Sequence, residues 1–186
     1  FKKAFPKESN AITYDNFAKA VGAFERQLST PSRFDKLLSG DKKALSDAEK
    51  AGLKTFVSTG CTMCHMGPLL GGNMYQKVGL MKEWPNQKDQ GRFDLTKNEA
   101  DKMMFKVPSL RNIEKTGPYF HDGQTADLKT AVKMMAKHQL GKQLQEQEVT
   151  SIIAFLTALE GEPAQDYLNM PTLPKSSATT PKPNPN

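Results

Sequence analysis

The stretch Cys61-Thr62-Met63-Cys64-His65 decides how this 186-residue chain is interpreted. Two cysteines at positions i and i+3 of a tight helical turn point the same way, so their thiols can add to two neighbouring vinyl groups of one porphyrin edge. The histidine that follows can place its imidazole beneath the iron. This C-x-x-C-H spacing is the attachment pattern of c-type haem. It predicts one covalent haem, held by Cys61 and Cys64, with His65 as an iron ligand.

Three other interpretations of the two cysteines stay open and fit less well. A thioredoxin-like C-x-x-C requires a βαβ setting, and no strand pattern precedes Cys61. A structural zinc site needs four ligands, and the only further candidates are His121 and His138. Two buried cysteines without a chemical role are the third alternative. A disulfide framework is excluded because the chain has no other cysteine.

Composition and charge exclude several classes of protein. Hydrophobic residues make up 37% of the chain, so its core is modest, and a haem would add a large apolar body to it. The net charge of +6 comes from lysines scattered among acidic residues, without the basic stripe typical of nucleic-acid binding. No apolar run reaches the roughly 18–20 residues that span a bilayer. We therefore expect no nucleic-acid partner and no membrane span.

Helical periodicity predicts an all-α protein. Thr13 can cap a first helix that Pro31 ends. Its apolar residues recur at helical spacing and are Tyr14, Phe17, Ala18, Val21, Phe24 and Leu28. A short second helix is expected from Arg33 to Ser39.

A capping box marks the start of the helix that leads into the cysteine motif. Ser46 stands at the cap and Glu49 three residues later. The helix should end at Gly60. The residues expected to be buried along it are Ala48, Leu53, Phe56 and Val57.

Downstream of the motif, residues 67–108 are rich in Gly, Asn, Lys and Met and predict a long loop region with little regular structure. Such loops are uncommon in compact domains unless something fills the space they enclose. Trp84 should pack against this region. Two further helices are expected, at 126–137 and, with a clear apolar face, at 146–160. The stretch from Pro171 onward has no apolar pattern and predicts disorder.

These elements predict three segments. Residues 1–45 form a helical lead-in or inter-domain segment, residues 46–165 a class I cytochrome c-like domain with long loops around one haem, and residues 166–186 an extended disordered tail. In the class I cytochrome c fold, which this order resembles, the first and last helices cross beside the haem. The chain begins at Phe1 without a signal peptide, so we expect a mature protein or a piece of a longer one.

The residues alone leave the second axial ligand of the iron open. An iron that is open on its second face suits catalysis, whereas an iron with two protein ligands suits electron transfer. The candidates are His121, His138 and the methionines Met63, Met66, Met74, Met81, Met103, Met104, Met134, Met135 and Met170. A methionine is more often a filler of core gaps than a ligand. Met63 and Met66 flank the proximal histidine on the wrong face, while Met134 and Met135 lie on a helix well downstream.

Longer stretches identify a family. Residues 105–113 (FKVPSLRNI), 116–123 (TGPYFHDG), 131–135 (AVKMM) and 139–141 (QLG) resemble the C-terminal half of bacterial di-haem cytochrome c peroxidases. Upstream, residues 12–16 (ITYDN), 23–26 (AFER) and 32–35 (SRFD) resemble the segment that precedes the second haem of that family. The resemblance covers nearly all of residues 1–161. It extends to MauG-type enzymes, which modify tryptophans of a partner protein.

The resemblance implies a role for this half. Its haem would transfer electrons, with His65 and, at the end of the Ala-Val-x-x-Met pattern, Met135 as axial ligands. MauG-type relatives have a tyrosine at this place, so a methionine favours peroxidase chemistry. A calcium ion would bind between the haem domains through backbone carbonyls of Thr116 and Pro118. Arg111 is expected to pair with a haem propionate, with a salt bridge at the surface as the alternative. His121 has no catalytic role that the resemblance supplies, and a structural hydrogen bond is expected of it.

The family's N-terminal haem domain has no counterpart in this sequence, so no site here would bind and split peroxide. The resemblance then implies the electron-transfer half of a periplasmic enzyme that reduces hydrogen peroxide to water. Its expected partners are the second haem domain, a small donor such as a cytochrome c or a cupredoxin, and a second copy in a homodimer. The alternatives are a stand-alone mono-haem electron carrier and a MauG-like haem enzyme.

Overall fold

The computed structural model describes residues 1–182, which form two compact units. The smaller unit contains Phe1–Ser29 and the chain from Pro163 onward, and the larger contains Thr30–Glu162. None of the helices in this described part combines the length and apolarity that a membrane crossing requires. The cysteine motif lies in the larger unit.

The smaller unit is built on one helix, α1 (Tyr14–Glu25). Thr13 caps it as predicted, because its Oγ1 accepts a hydrogen bond from Asn16 N at 3.1 Å. A short helix, Gln165–Leu168, overlaps the start of the disordered tail predicted for residues 166–186, and Tyr167 packs on Phe24 with ring centroids 6.2 Å apart. The prediction was therefore wrong at these residues. Residues 183–186 of the predicted tail lie outside the described residues.

The larger unit contains five helices within the described chain, and the cysteine motif follows the second of them. In chain order they are α2 (Arg33–Leu38), α3 (Asp47–Thr59), α4 (Phe93–Thr96), α5 (Leu128–Gln139) and α6 (Glu146–Thr157); the helix at Gln165–Leu168 in the smaller unit is α7. Short 3₁₀ turns occupy Cys61–Met63, Glu99–Asp101 and Ile113–Lys115. Helices α5 and α6 thus confirm the two predicted downstream helices: both ends of α5 are shifted by two residues, and α6 begins where predicted and ends three residues earlier.

A two-stranded antiparallel sheet corrects the all-α prediction. Strand β1 (Tyr75–Lys77) pairs with β2 (Met104–Lys106), so that Tyr75 lies opposite Lys106 and Lys77 opposite Met104. The sheet ties together two distant parts of the predicted loop region. Strands of three residues are too short to show the alternation of apolar and polar residues by which a strand is recognised in a sequence.

Helix α3 has both hydrogen bonds of the predicted capping box. Ser46 N donates to Glu49 Oε2 at 2.8 Å, and Glu49 N donates to Ser46 Oγ at 3.3 Å. The buried positions along the helix are Glu49, Gly52, Phe56 and Thr59. Leu53 is partly buried, whereas Ala48 and Val57, also expected inside, are exposed. Val57 follows Phe56 and is therefore rotated by roughly 100° away from the face that packs, and Ala48 lies in the exposed first turn.

Helices α3 and α6 pack in close contact, which is consistent with the crossing of the first and last helices expected of a cytochrome c-like segment. Gly52 lies at the crossing point, where an added Cβ would overlap the carbonyl of Ser151. Phe155 of α6 is fully buried, with its ring centroid 5.3 Å from that of Phe56 and 5.5 Å from that of Phe34. This crossing is the centre of the core and fixes the end of α3, from which the cysteine motif projects.

Trp84 packs inside the larger unit, but its aromatic partners lie outside residues 67–108, the region against which it was expected to pack. Its side chain is 3% exposed. The indole lies edge-on to Phe120 at 4.6 Å and to His138 at 5.3 Å between ring centroids. Trp84 therefore joins the loop region to α5.

Candidate haem site

The cysteine motif begins directly where α3 ends. Gly60 caps α3 in the left-handed conformation, with φ of 105°, which costs a glycine little. The chain then enters the 3₁₀ turn Cys61–Met63, and Cys61 O accepts hydrogen bonds from Cys64 N at 3.3 Å and from His65 N at 3.0 Å. This compact turn brings the two thiols and the imidazole together, as one covalent haem requires. Burial raises the pKa of the Cys61 thiol to about 11, so the thiol is neutral.

The imidazole of His65 is oriented by a backbone carbonyl. Its Nδ1 lies 3.1 Å from Leu70 O, an acceptor, so Nδ1 carries the proton and Nε2 has the free lone pair. Burial lowers the pKa of His65, although hydrogen bonding to the backbone of Leu70 and Pro108 acts in the other direction. A neutral imidazole whose second nitrogen donates to a carbonyl is the usual form of a metal-ligating histidine. His65 thus has the form that an iron ligand needs.

Gly71 is a site residue that the sequence analysis missed. Its φ is +130°, and an added Cβ would overlap Pro108 O and lie 3.3 Å from His65 Nδ1. Only glycine allows the loop after the motif to pass this closely beneath the imidazole. The one signal in the sequence was the Gly71-Gly72 pair.

Met134 and Met135 occupy different environments on α5. The Sδ of Met134 accepts a hydrogen bond from Thr125 Oγ1 at 3.5 Å, and Met134 lines a cleft with Trp84 and Thr125. Met135 is half-buried. Consecutive helical residues point roughly 100° apart, so the Met135 thioether is directed away from the Thr125 side of the helix. The Thr125 hydroxyl thus contacts the Met134 thioether, and the choice of Met135 as the second ligand stays a prediction.

Arg111 has a different partner from the predicted propionate. Its guanidinium binds both carboxylate oxygens of Asp35, at 2.7 and 2.8 Å, and also Ser32 Oγ at 2.9 Å. Nε and Nη2 donate to Pro68 O at 3.0 and 2.7 Å. All five N–H donors of an arginine are thereby used inside the protein. The structure leaves no donor for a propionate, so that expectation is corrected.

Thr116 and Pro118, the predicted calcium ligands, lie in an exposed turn in which the Gly117–Pro118 peptide is cis. Among residues 1–182, neither backbone carbonyl accepts a hydrogen bond. Carbonyl oxygens that are free in this way are ligands that calcium accepts. Nowhere within residues 1–182 do three or more His, Cys, Asp or Glu side chains lie together in a group that could hold a metal ion. Calcium would therefore need oxygen ligands beyond these side chains.

The two remaining histidines are both held within aromatic contacts. His138 is buried, with Nδ1 2.8 Å from Glu83 O. His121 stacks on Phe105 at 4.0 Å between ring centroids. Its Nε2 is buried and has no hydrogen-bond partner in the part of the chain that the structure describes, so the structural hydrogen bond expected of His121 stays a prediction.

Comparisons with known proteins agree on one family. A sequence profile described as "Di-haem cytochrome c peroxidase" matches residues 1–43. The chain is 46% identical to cytochrome c551 peroxidase of Pseudomonas aeruginosa over 98% of its length, and 46% identical to that of Nitrosomonas europaea over 100%. It covers 54% and 55% of these two proteins, so it spans about half the length of the curated relatives it matches.

A solved structure shows the same likeness. The structure described as a MauG-like protein associated with microbial copper homeostasis superposes with a TM-score of 0.74 at 26% identity, over 91% of this chain and 60% of that one. The fold of this chain is therefore consistent with a cytochrome c-like arrangement of helices around the motif. The profile match at residues 1–43, the alignment of nearly the whole chain with two cytochrome c551 peroxidases and the haem-attachment turn lead to one conclusion: this chain belongs to the di-haem cytochrome c peroxidase family.

Proposed function

We propose that this chain is the electron-transfer haem half of a periplasmic di-haem cytochrome c peroxidase. The whole enzyme would reduce hydrogen peroxide to water with electrons from a small redox protein, such as a cytochrome c or a cupredoxin. The observation that carries the proposal is the single Cys61–His65 attachment turn, oriented by Leu70 O, in a chain that spans about half of two cytochrome c551 peroxidases. The second haem domain would lie in the other half of such a protein.

The residues present fit a c-type haem. Cys61 and Cys64 would hold it through thioethers, and the neutral His65 would bind its iron through Nε2. When bound, the haem would supply a one-electron redox centre. Met135 is proposed as the second ligand because the thioether of its neighbour Met134 is engaged by Thr125. A methionine ligand raises the reduction potential, which suits a centre that accepts electrons from a donor and passes them on.

Calcium and a homodimer complete the proposal for the whole enzyme. The free carbonyls of Thr116 and Pro118 support a calcium site, in which further oxygen ligands would come from water and from the other haem domain. The homodimer rests on the family resemblance. A MauG-like enzyme is the second candidate, favoured by the likeness to a MauG-like structure. The methionine at position 135, where the resemblance implies a tyrosine in MauG-type relatives, argues against it.

Covalent attachment is the first test of this function. The chain, produced in a host with c-type haem maturation, should keep its colour after acid–acetone extraction, because thioether bonds survive it. The Cys61→Ser/Cys64→Ser double variant should lose the colour to the organic phase. Colour released from the wild-type chain would disprove the proposed site.

Peroxide consumption is the second test. An iron with both His65 and Met135 as ligands has no vacant position for peroxide, and a positioned proton-transfer group typically contributes about 10²–10⁴-fold to such a reaction. The chain alone should therefore accept electrons from a reduced donor but consume peroxide at least ~10²-fold more slowly than a full-length family enzyme with the same donor. Comparable rates per haem would show that the haem held by this chain is itself the peroxidatic one.

A further inference from the structure

The loop that follows the motif, Pro68–Leu70, is held by every one of its three carbonyls. Pro68 O accepts from the Arg111 guanidinium, at 2.7 and 3.0 Å. Leu69 O accepts from Ser109 Oγ at 2.8 Å and from Leu110 N at 3.2 Å. The third carbonyl, Leu70 O, is the one that lies 3.1 Å from His65 Nδ1. The position of the acceptor that orients His65 is therefore set by the two carbonyls before it.

Arg111 is itself fixed in place. Its side chain is 13% exposed, and the bidentate pair with Asp35 holds the guanidinium in one plane. The guanidinium also lies over the ring of Phe34, 5.5 Å from its centroid. Burial acts to raise the pKa of Asp35, but hydrogen bonds from Ser32 and Arg111 outweigh it and hold the pKa below its ordinary value. Asp35 is thus a carboxylate at neutral pH, and the pair is a stable charged contact between α2 and the loop.

We propose that Asp35 and Arg111 form a brace that positions the axial His65 through the carbonyls of Pro68–Leu70. In this role Arg111 binds neither haem nor substrate and acts through the loop. The partner of the second nitrogen of a ligating histidine fixes the ring and raises its basicity, and changes there typically cost about 10–100-fold in metal affinity or activity. The inference rests on the haem attachment proposed above and extends it to Asp35, which lies 26 positions before the motif, and to Arg111, which lies 46 positions after it.

The experiment compares the haem-loaded wild-type chain with Asp35→Asn, Arg111→Lys and Ser109→Ala. Asp35→Asn removes the charge at nearly constant volume. Arg111→Lys keeps the charge but loses the planar guanidinium that binds Asp35 and Pro68 O together. Ser109→Ala removes the bond to Leu69 O and the bond that Ser109 Oγ accepts from Arg111 N. Each should loosen the bond from His65 Nδ1–H to Leu70 O, and a less basic imidazole favours the reduced iron. The midpoint potential should therefore rise. The expected limit is an about tenfold change in the equilibrium constant of reduction, which for one electron corresponds to ~59 mV. The Nδ1–H proton should also exchange faster with solvent, as followed by its hyperfine-shifted NMR signal.

Arg33→Lys is the matched control. Arg33 lies on the same helix as Asp35 and pairs with Glu49 at 2.6 Å, and it makes no hydrogen bond to Pro68–Leu70. The midpoint potential and the Nδ1–H exchange rate of the Arg33→Lys variant should therefore equal those of the wild type. The double variant Asp35→Asn/Arg111→Lys should shift the potential no further than Arg111→Lys alone, because both changes break one unit.

The outcomes separate the brace from the proposed function. The brace is overturned if Asp35→Asn, Arg111→Lys and Ser109→Ala all keep their haem and show the wild-type potential and Nδ1–H exchange rate. The proposed haem site would then still stand. A shift of equal size in Arg33→Lys would also overturn the brace, since the effect would then come from α2 in general. Haem lost from the wild-type chain on acid–acetone extraction would overturn the proposed function and the brace together.

Discussion

Replacing Gly52 by alanine should destabilise the crossing of α3 and α6. The new Cβ would overlap Ser151 O and lie 2.9 Å from Ser151 C and 3.0 Å from Phe155 Cβ. Carbon atoms pack best at about 3.5–4.0 Å. Because the new Cβ would lie 2.0 Å from Ser151 O, α6 would have to withdraw from Gly52 by roughly 1 Å or more. The contacts are backbone atoms that cannot rotate away, which places the cost near the upper end of the about 1–3 kcal/mol seen for overpacked cores.

Helix propensity offsets part of this cost, because alanine is better than glycine in a helix by about 1 kcal/mol. We expect a net loss of about 2 kcal/mol in the free energy of unfolding, which lowers Tm by about 4–8 °C for a chain of this size. The assay is thermal unfolding of the haem-loaded protein, followed by circular dichroism at the helical band. Gly22→Ala is the control, since its Cβ would meet only the flexible end of Arg26 at 3.5 Å, and it should not lower Tm. A Gly52→Ala variant as stable as the wild type would refute the reasoning.

Two further predictions concern the ligand and the brace. Met135→His should keep the iron six-coordinate and lower its potential, while Met134→Leu should leave the sulfur-to-iron absorption band in place; loss of that band in Met134→Leu would move the ligand to position 134. The pKa of Asp35 in the folded state lies below its ordinary value, so the stabilising contribution of its carboxylate is complete above about pH 4 and is lost as pH falls through the folded pKa. The stability gap between wild type and Asp35→Asn, measured by urea unfolding, should therefore be constant from pH 5 to 7, by linkage, and narrow below about pH 4; a gap that widens on acidification would contradict the assigned pair.

Local patterns were enough for the elements that depend on neighbours in the chain. The haem-attachment turn needs only Cys61 to His65 on one tight turn, and the cap of α3 needs only Ser46 and Glu49. In helices α3, α5 and α6 the apolar residues recur at helical spacing, because only one face of each helix is buried. Burial was less predictable, because Val57 is as apolar as Phe56 and differs only in its direction from the helix axis.

The sequence by itself therefore determined the attachment motif, the order of the main helices and the family, since each rests on residues that are adjacent or regularly spaced. Only the tertiary structure decided what Arg111 does, because its partners Asp35 and Pro68 lie 76 and 43 positions away. The pairing of β1 with β2 and the need for glycine at position 71 were likewise decided in three dimensions. A hydrogen bond or a close approach between distant segments does not change the spacing of apolar and polar residues in either segment, so the sequence does not reveal it. Contacts of this kind position Leu70 O, the acceptor that orients His65.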